Sequence, residues 1–222
     1  GEGRSEQAGE GQGERAGEGQ DAPNAPPNPS PAPPPSASAP PVCRAYFKLQ
    51  EAGSHLDLGL GSHLTALDVG SSPGGWTSYL AQAGCAKVWS VDPGLLDPGV
   101  LALPAVEHLK MKIEDALPLL TRKGVAGTIG LYCCDMNAPP AQAVKLFLRA
   151  VPLLRPGAAV VLTFKNTLHN PRAKRAEWEA DVAAGVEVMG EAVEGVRVVQ
   201  LFANTPRECT VLGRVIRGIP QR

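Results

Sequence analysis

The ten residues Leu67-Asp68-Val69-Gly70-Ser71-Ser72-Pro73-Gly74-Gly75-Trp76 constrain this chain more than any other stretch. An apolar run, Leu64 to Val69, reads as a strand, and Thr77 onward reads as a helix. Gly70 through Gly75 is the turn between them. A strand that turns sharply into a helix leaves backbone N–H groups facing outward at the helix start. Glycines let that backbone approach a ligand closely, and Pro73 suits a first helical position. Sixteen residues beyond Trp76, Asp92 closes a second apolar run, Lys87-Val88-Trp89-Ser90-Val91. An acid at that point bonds the ribose hydroxyls of nucleotide-like ligands. The expectation is a pocket for an adenosine-containing molecule at the C-terminal edge of a parallel sheet.

The spacing narrows the ligand. A dinucleotide fingerprint reads G-x-G-x-x-G, whereas here three residues separate Gly70 from Gly74-Gly75. Ser72 replaces the middle glycine that admits a pyrophosphate. The pattern disfavours NAD or FAD and fits S-adenosylmethionine, which carries no phosphate.

Two tail segments lack the apolar content to form a core. Residues 1–20 are rich in Gly, Glu, Gln and Arg, and residues 21–41 hold ten prolines. Residues 1–41 are expected to be a disordered, polyproline-like leader without chemistry. Residues 42–222 suffice for one α/β domain. That domain carries 19 Lys and Arg against 16 Asp and Glu, a net charge of +3 that suits an RNA partner. Five cysteines, at 43, 85, 133, 134 and 209, show no C-x-x-C pair, so reduced core thiols of an intracellular protein are expected, and no metal. No apolar run reaches membrane-spanning length.

The periodicity predicts a short helix over 42–52, a loop over 53–63, and strands at 64–69, 87–92, 106–111, 127–134 and 158–164. Helices are expected at 74–83, 113–120, from Pro139 to Leu154, and at 173–184. Pro93 to Pro98 reads as a loop, and two closing strands fall at 196–202 and 210–216. Alternating strands and helices imply a doubly wound, mostly parallel sheet with helices on both faces. The short link between the closing strands makes one of the seven strands antiparallel, the methyltransferase variation on the Rossmann plan.

In such a sheet, residues just past strand C-termini converge on one crevice. Asp92, Asp135 and Lys165 stand at those points, Glu208 lies beside the last strand, and Lys48 enters from the first helix. Arg44-Ala45-Tyr46-Phe47-Lys48-Leu49, the Asp68–Trp76 turn, Asp135, Phe164-Lys165 and Arg207-Glu208 together resemble the FtsJ/RrmJ-like family of RNA 2′-O-ribose methyltransferases. The resemblance runs from Arg44 to about Ile216. It implies a K-D-K-E tetrad of Lys48, Asp135, Lys165 and Glu208, with Lys165 the catalytic lysine and Asp135 also bordering the cofactor. Asp68, Gly70, Ser72, Pro73, Gly74, Gly75, Trp76 and Asp92 complete the expected S-adenosylmethionine site. A lysine acts as a base only if its pKa falls well below about 10.4, and a neighbouring ammonium, here Lys48, pushes in that direction.

One departure concerns adenine. The family's acid after the third strand is replaced by Lys112, leaving Glu114, Asp115 or a backbone carbonyl as candidates. Asp135-Met136-Asn137-Ala138-Pro139-Pro140 differs from the amino-methylating [D/N]-P-P-[Y/F] pattern, since Ala138 intervenes and Ala141 replaces the aromatic. Trp76 suits either the cofactor rim or helix packing. His169, Arg172, Lys174 and Arg175 form a basic patch suited to phosphates. The expected substrate is RNA, ribosomal RNA foremost, and the expected state is a monomer. A catalytically silent RNA-binding scaffold of the same fold is the alternative, with an NAD-dependent oxidoreductase behind it.

Overall fold

The computed structural model describes residues 41–167 and 175–216. The expected leader therefore lies, except for Pro41, outside the described residues. So do His169, Arg172 and Lys174 of the basic patch.

Among the described residues, seven strands form one sheet: β1 (Thr65–Val69), β2 (Lys87–Val91), β3 (Val106–Leu109), β4 (Ile129–Cys134), β5 (Leu154–Lys165), β6 (Val193–Val199) and β7 (Glu208–Val215), in the order β3-β2-β1-β4-β5-β7-β6. Strands β1 to β5 pair in parallel, while β7 runs antiparallel to both β5 and β6. The reversed strand expected from the short closing connection is therefore β7.

The helices are α1 (Ala45–Leu56), α2 (Gly75–Gln82), α3 (Pro98–Leu101), α4 (Ile113–Arg122), α5 (Pro140–Ala150) and α6 (Arg175–Met189). Side-chain alternation along the strands divides the core in two. Leu67, Trp89, Tyr132, Cys134 and Leu162 pack with the apolar sides of α4 and α5. Ala66, Val88, Leu131, Cys133 and Val161 pack with α1 and α2 through Leu49, Ala52, Trp76 and Leu80. Among the described residues, no helix is long and apolar enough to cross a membrane.

Several boundaries differ from expectation. Helix α1 continues to Leu56 because Leu49, Ala52 and Leu56 keep the buried spacing. Asp57, at φ +47°, ends it. The expected loop Pro93 to Pro98 runs into the one-turn α3, which starts where Asp97 accepts a hydrogen bond from the Gly99 N–H at 2.8 Å. Helix α5 stops at Ala150, a 3₁₀ turn follows, and β5 begins at Leu154 rather than Ala158. Strand β6 begins and ends three residues earlier than expected, with Gly195 at φ +64° beside a register shift. The buried thiols are poor nucleophiles: burial pushes Cys134 up to about 12 and Cys209 to about 11.

Candidate active site

Strand parity brings the titratable groups to one side of the sheet. Asp68 alternates with Leu67 and Val69, so it shares the α1–α2 face with Ala66. By the same count Asp135 follows Cys133, and Lys165 follows Val161 and Thr163. Glu208 reaches that face because β7 is reversed: its first residue pairs directly with the last residue of β5, Lys165↔Glu208. Helix α1 lies over this face and supplies Lys48, which is 4 % exposed.

The four expected tetrad residues meet. Lys48 Nζ lies 3.2 Å from both carboxylate oxygens of Asp135 and 3.0 Å from Glu208 Oε2. Lys165 Nζ lies 3.1 Å from Asp135 Oδ1 and 3.9 Å from Glu208 Oε1, and donates to the Asp135 carbonyl at 2.7 Å. Acids and amines thus alternate around a ring. Each lysine contacts both carboxylates of the quartet, so the two amines stand on the same pair of acids. Lys165 is the most exposed side chain of the four, at 18 %. Burial pushes the Glu208 carboxyl up, but the Thr205 N–H and the Lys48 ammonium outweigh it and hold the group below the usual range.

Two cavities flank the quartet, and Asp135 and Lys165 line both. The larger, about 480 Å³, runs past Gly70, Ser72 and Asp92 to Lys112, Ile113 and Glu114. This volume suits a nucleoside-sized ligand. The Asp92 carboxylate accepts the Ser72 N–H at 3.2 Å and the Gly94 N–H at 2.6 Å, which fixes it while leaving lone pairs for hydroxyl groups. The smaller, about 140 Å³, is bounded by Asp68, Gly70, Ser71, Ser72, Gly75 and Trp76, among others. The Ser71 hydroxyl is buried there without a hydrogen-bond partner. A buried polar atom left unpaired costs free energy, so this hydroxyl favours a polar ligand in the cavity.

The glycines have distinct tasks. Gly70 sits at φ +74°, and a Cβ there would meet Met136 Cβ at 2.6 Å and its backbone N at 2.9 Å. A Cβ on Gly75 would meet Cys43 Sγ at 2.5 Å. Gly74, at φ +118°, lines neither cavity and packs on Val100. Pro73 borders the smaller cavity, behind a cis Ser72–Pro73 bond, and precedes the helix rather than starting it. Trp76 packs in the α1–α2 core, donating Nε1–H to the Ala45 carbonyl at 2.6 Å, and also borders the smaller cavity. Asp68 receives the Thr77 hydroxyl at 2.6 Å. Burial, against that bond and with the added charges of Asp135 and Asp92, pushes its carboxyl up to about 7.

Several lining residues escaped the sequence reading. Met136, Asn137 and Gln142 border the larger cavity. Asn137, two residues past Asp135 at a strand end, carried a usable positional signal. The unpaired Ser71 hydroxyl carried none. Asp115 lines neither cavity, which leaves Glu114 as the acid at the far end of the larger one.

Comparison with known proteins agrees with this geometry. The chain is 32% identical over 124 residues to ribosomal RNA large subunit methyltransferase M of Laribacter hongkongensis, covering 56% of this chain and 31% of that protein. It is 24% identical over 172 residues to an uncharacterised protein of Methanocaldococcus jannaschii, covering 78% and 46%. The chain thus spans less than half the length of these curated relatives. A crystal structure of a Lactococcus lactis protein, provisionally described as a hemolysin, superposes with a TM-score of 0.62 at 19% identity, covering 78% of this chain and 88% of the other. An rRNA methylase structure from Clostridium thermocellum, likewise provisional in its description, gives 0.53 at 13% identity, covering 77% and 97%. These two likenesses establish the Rossmann-like fold. The sequence model of the family described as FtsJ-like methyltransferase matches residues 41–174, which include the glycine turn, Asp92, Lys48, Asp135 and Lys165. With more than half of the chain matched, and the turn and three of the four clustered residues inside the match, the protein belongs to the FtsJ-like methyltransferase family.

Proposed function

We propose that this protein is an S-adenosylmethionine-dependent RNA 2′-O-ribose methyltransferase acting on ribosomal RNA. The observation that carries the reading is the closed Lys48–Asp135–Lys165–Glu208 ring at the wall shared by two cavities. The residues suit S-adenosylmethionine. Asp92 offers acceptors to ribose hydroxyls, Glu114 and the Ile113 region an adenine end, and Asp68 and the unpaired Ser71 hydroxyl a polar end for an amino acid moiety. The names of the rRNA methyltransferase relatives support the choice of substrate.

When bound, S-adenosylmethionine supplies an electrophilic methyl group on a sulfonium. A ribose 2′-hydroxyl is a weak nucleophile and must lose its proton as its oxygen bonds that methyl carbon. Lys165, the ring member lining both cavities with the greatest exposure, takes the proton in its amine form. Lys48 is buried and lines neither cavity; it fixes both carboxylates, which in turn hold Lys165. Asp135 orients the amine through its carboxylate and its carbonyl. Holding oxygen, methyl carbon and sulfur in line is worth on the order of several kcal/mol of the barrier. The test is ribose-methylation mapping of total RNA with and without the protein, alongside methyl incorporation by purified protein. A site that gains 2′-O-methylation only with the active protein supports the reading; methylation confined to bases overturns it.

A further inference from the structure

The loop after β6 carries an anomaly. Phe202 is 98 % exposed, although its neighbours Leu201 and Ala203 are 1 % and 6 % exposed. The loop is held firmly. The Phe202 N–H donates to both Glu51 carboxylate oxygens, at 2.9 and 3.1 Å, and Asn204 exchanges hydrogen bonds with Thr210 at 3.2 and 3.3 Å. The Thr205 N–H donates to Glu208 Oε2 at 2.9 Å. The loop therefore touches a quartet member at one end and α1 at the other. Glu51 lies three residues beyond Lys48 in α1, one turn along the helix. Four residues before Glu51, on the same helix face, stands Phe47, 48 % exposed and edge-on to Tyr46 with ring centroids 5.5 Å apart. Arg44, exposed, precedes α1 at the same end.

Two exposed phenyl rings thus flank Glu51 beside the helix that delivers Lys48 to the ring. Exposing a whole phenyl group forgoes the burial that apolar side chains ordinarily find. Packing gives no reason for it here, because the backbone on both sides is already anchored. Benzyl side chains beside a basic residue and a nucleotide-handling crevice match the surfaces on which unpaired bases stack. Bases inside a duplex keep their faces covered and have no ring face to offer. We infer that Phe202 and Phe47 form a stacking platform for unpaired nucleotides flanking the methylated ribose, so that the site selects single-stranded RNA over duplex. This rests on the proposed RNA methyltransferase function and names its substrate class more narrowly.

The test uses the full chain with a fluorescein-labelled 12-nucleotide RNA of mixed sequence, either single-stranded or annealed to its complement. Anisotropy gives both affinities for the parent, Phe202→Ala, Phe202→Leu and Phe202→Trp. Phe202→Ala and Phe202→Leu are expected to weaken single-strand binding about 5- to 100-fold, with duplex binding unchanged, while Phe202→Trp binds as the parent. Unchanged single-strand binding in Phe202→Ala overturns the inference, as does full retention by Phe202→Leu, which marks an apolar surface for a protein partner instead. The two readings fail separately. RNA methylation with normal binding by Phe202→Ala sinks the platform alone; Phe202-dependent binding by a parent that transfers no methyl group sinks the enzymatic reading alone.

Discussion

The two halves of the sheet's C-terminal edge are built differently. The β1–β2–β3 half draws its cavity wall from three short segments close in sequence: the Gly70–Gly75 turn, Asp92 and the start of α4. The β4–β5–β7 half gathers Lys48, Asp135, Lys165 and Glu208 from segments as much as 160 residues apart. The first half is local geometry, in which backbone amides and glycines fix the shape. The second is tertiary, and its four charges hold one another. The lesson is that damage should spread differently: in the first half a lesion alters ligand affinity and local strain, and in the second it removes reactivity and unsettles the partners.

Lys165→Ala tests the second half most severely. Methyl transfer to RNA is expected to fall about 10²- to 10⁴-fold, the range of a lost general base, while S-adenosylmethionine affinity by calorimetry stays near the parent value. A variant that turns over normally removes Lys165 from the mechanism. Lys48→Met removes the buried cation that both part-buried carboxylates share and leaves them Lys165 alone within the quartet. The expected loss is about 3–5 kcal/mol of stability, read as a lower urea midpoint, together with activity. A variant as stable as the parent would mean that the ring is not mutually supporting.

In the first half, Gly70→Ala forces a side chain into a left-handed conformation and against Met136. Strain of about 1–3 kcal/mol is expected from the backbone alone, with cofactor binding lost, both measurable by thermal shift with and without S-adenosylmethionine. Asp92→Asn keeps the shape and removes the charge, so cofactor affinity should drop about tenfold with methyl transfer at saturation nearly unchanged. A large fall in saturated rate instead would erase the division between the halves.

Asp68 gives the subtlest contrast. Its carboxyl is raised from 3.8 to about 7 by burial, opposed by Thr77 and reinforced by Asp135 and Asp92. A raised acid adds stability that is complete below its unfolded value and is lost as the pH climbs through about 7. Asp68→Asn is uncharged at every pH and should flatten this slope between pH 4 and 8, as followed by urea midpoints. Glu208, held below the usual range, acts in the opposite direction: its contribution is present above the unfolded value and fades as the pH falls through the folded one.

The same division explains what the sequence disclosed. The β1–turn–α2 unit was legible because apolar alternation, glycines and a polar helix start all act within about fifteen residues. Their positions just past strand ends placed Asp135 and Lys165 at one edge without any structure. Glu208 was recognisable through the family resemblance, since its arrival depends on β7 reversing, which no local period encodes. The wiring of the quartet was not legible at all. Which acid oxygens Lys48 meets follows from the path of α1 across the sheet. The apolar run Val196 to Phe202 continues past Val199, where pairing stops, so no local signal marks Phe202 as a loop residue. Asp97-Pro98 did signal α3 locally, but four residues are too few for a periodic pattern.

The reversed β7 places its first residue opposite the last of β5. A one-residue slippage in that pairing would present Cys209 where Glu208 now stands and turn the carboxylate to the other side of the sheet. Lengthening of the turn ahead of β7 leaves that ladder untouched, whereas an insertion inside either strand breaks it. Homologous chains should therefore vary in length between β6 and β7, yet keep a constant count from Lys165 back to Ala159 and from Glu208 on to Arg214, where seven consecutive rungs hold the alignment.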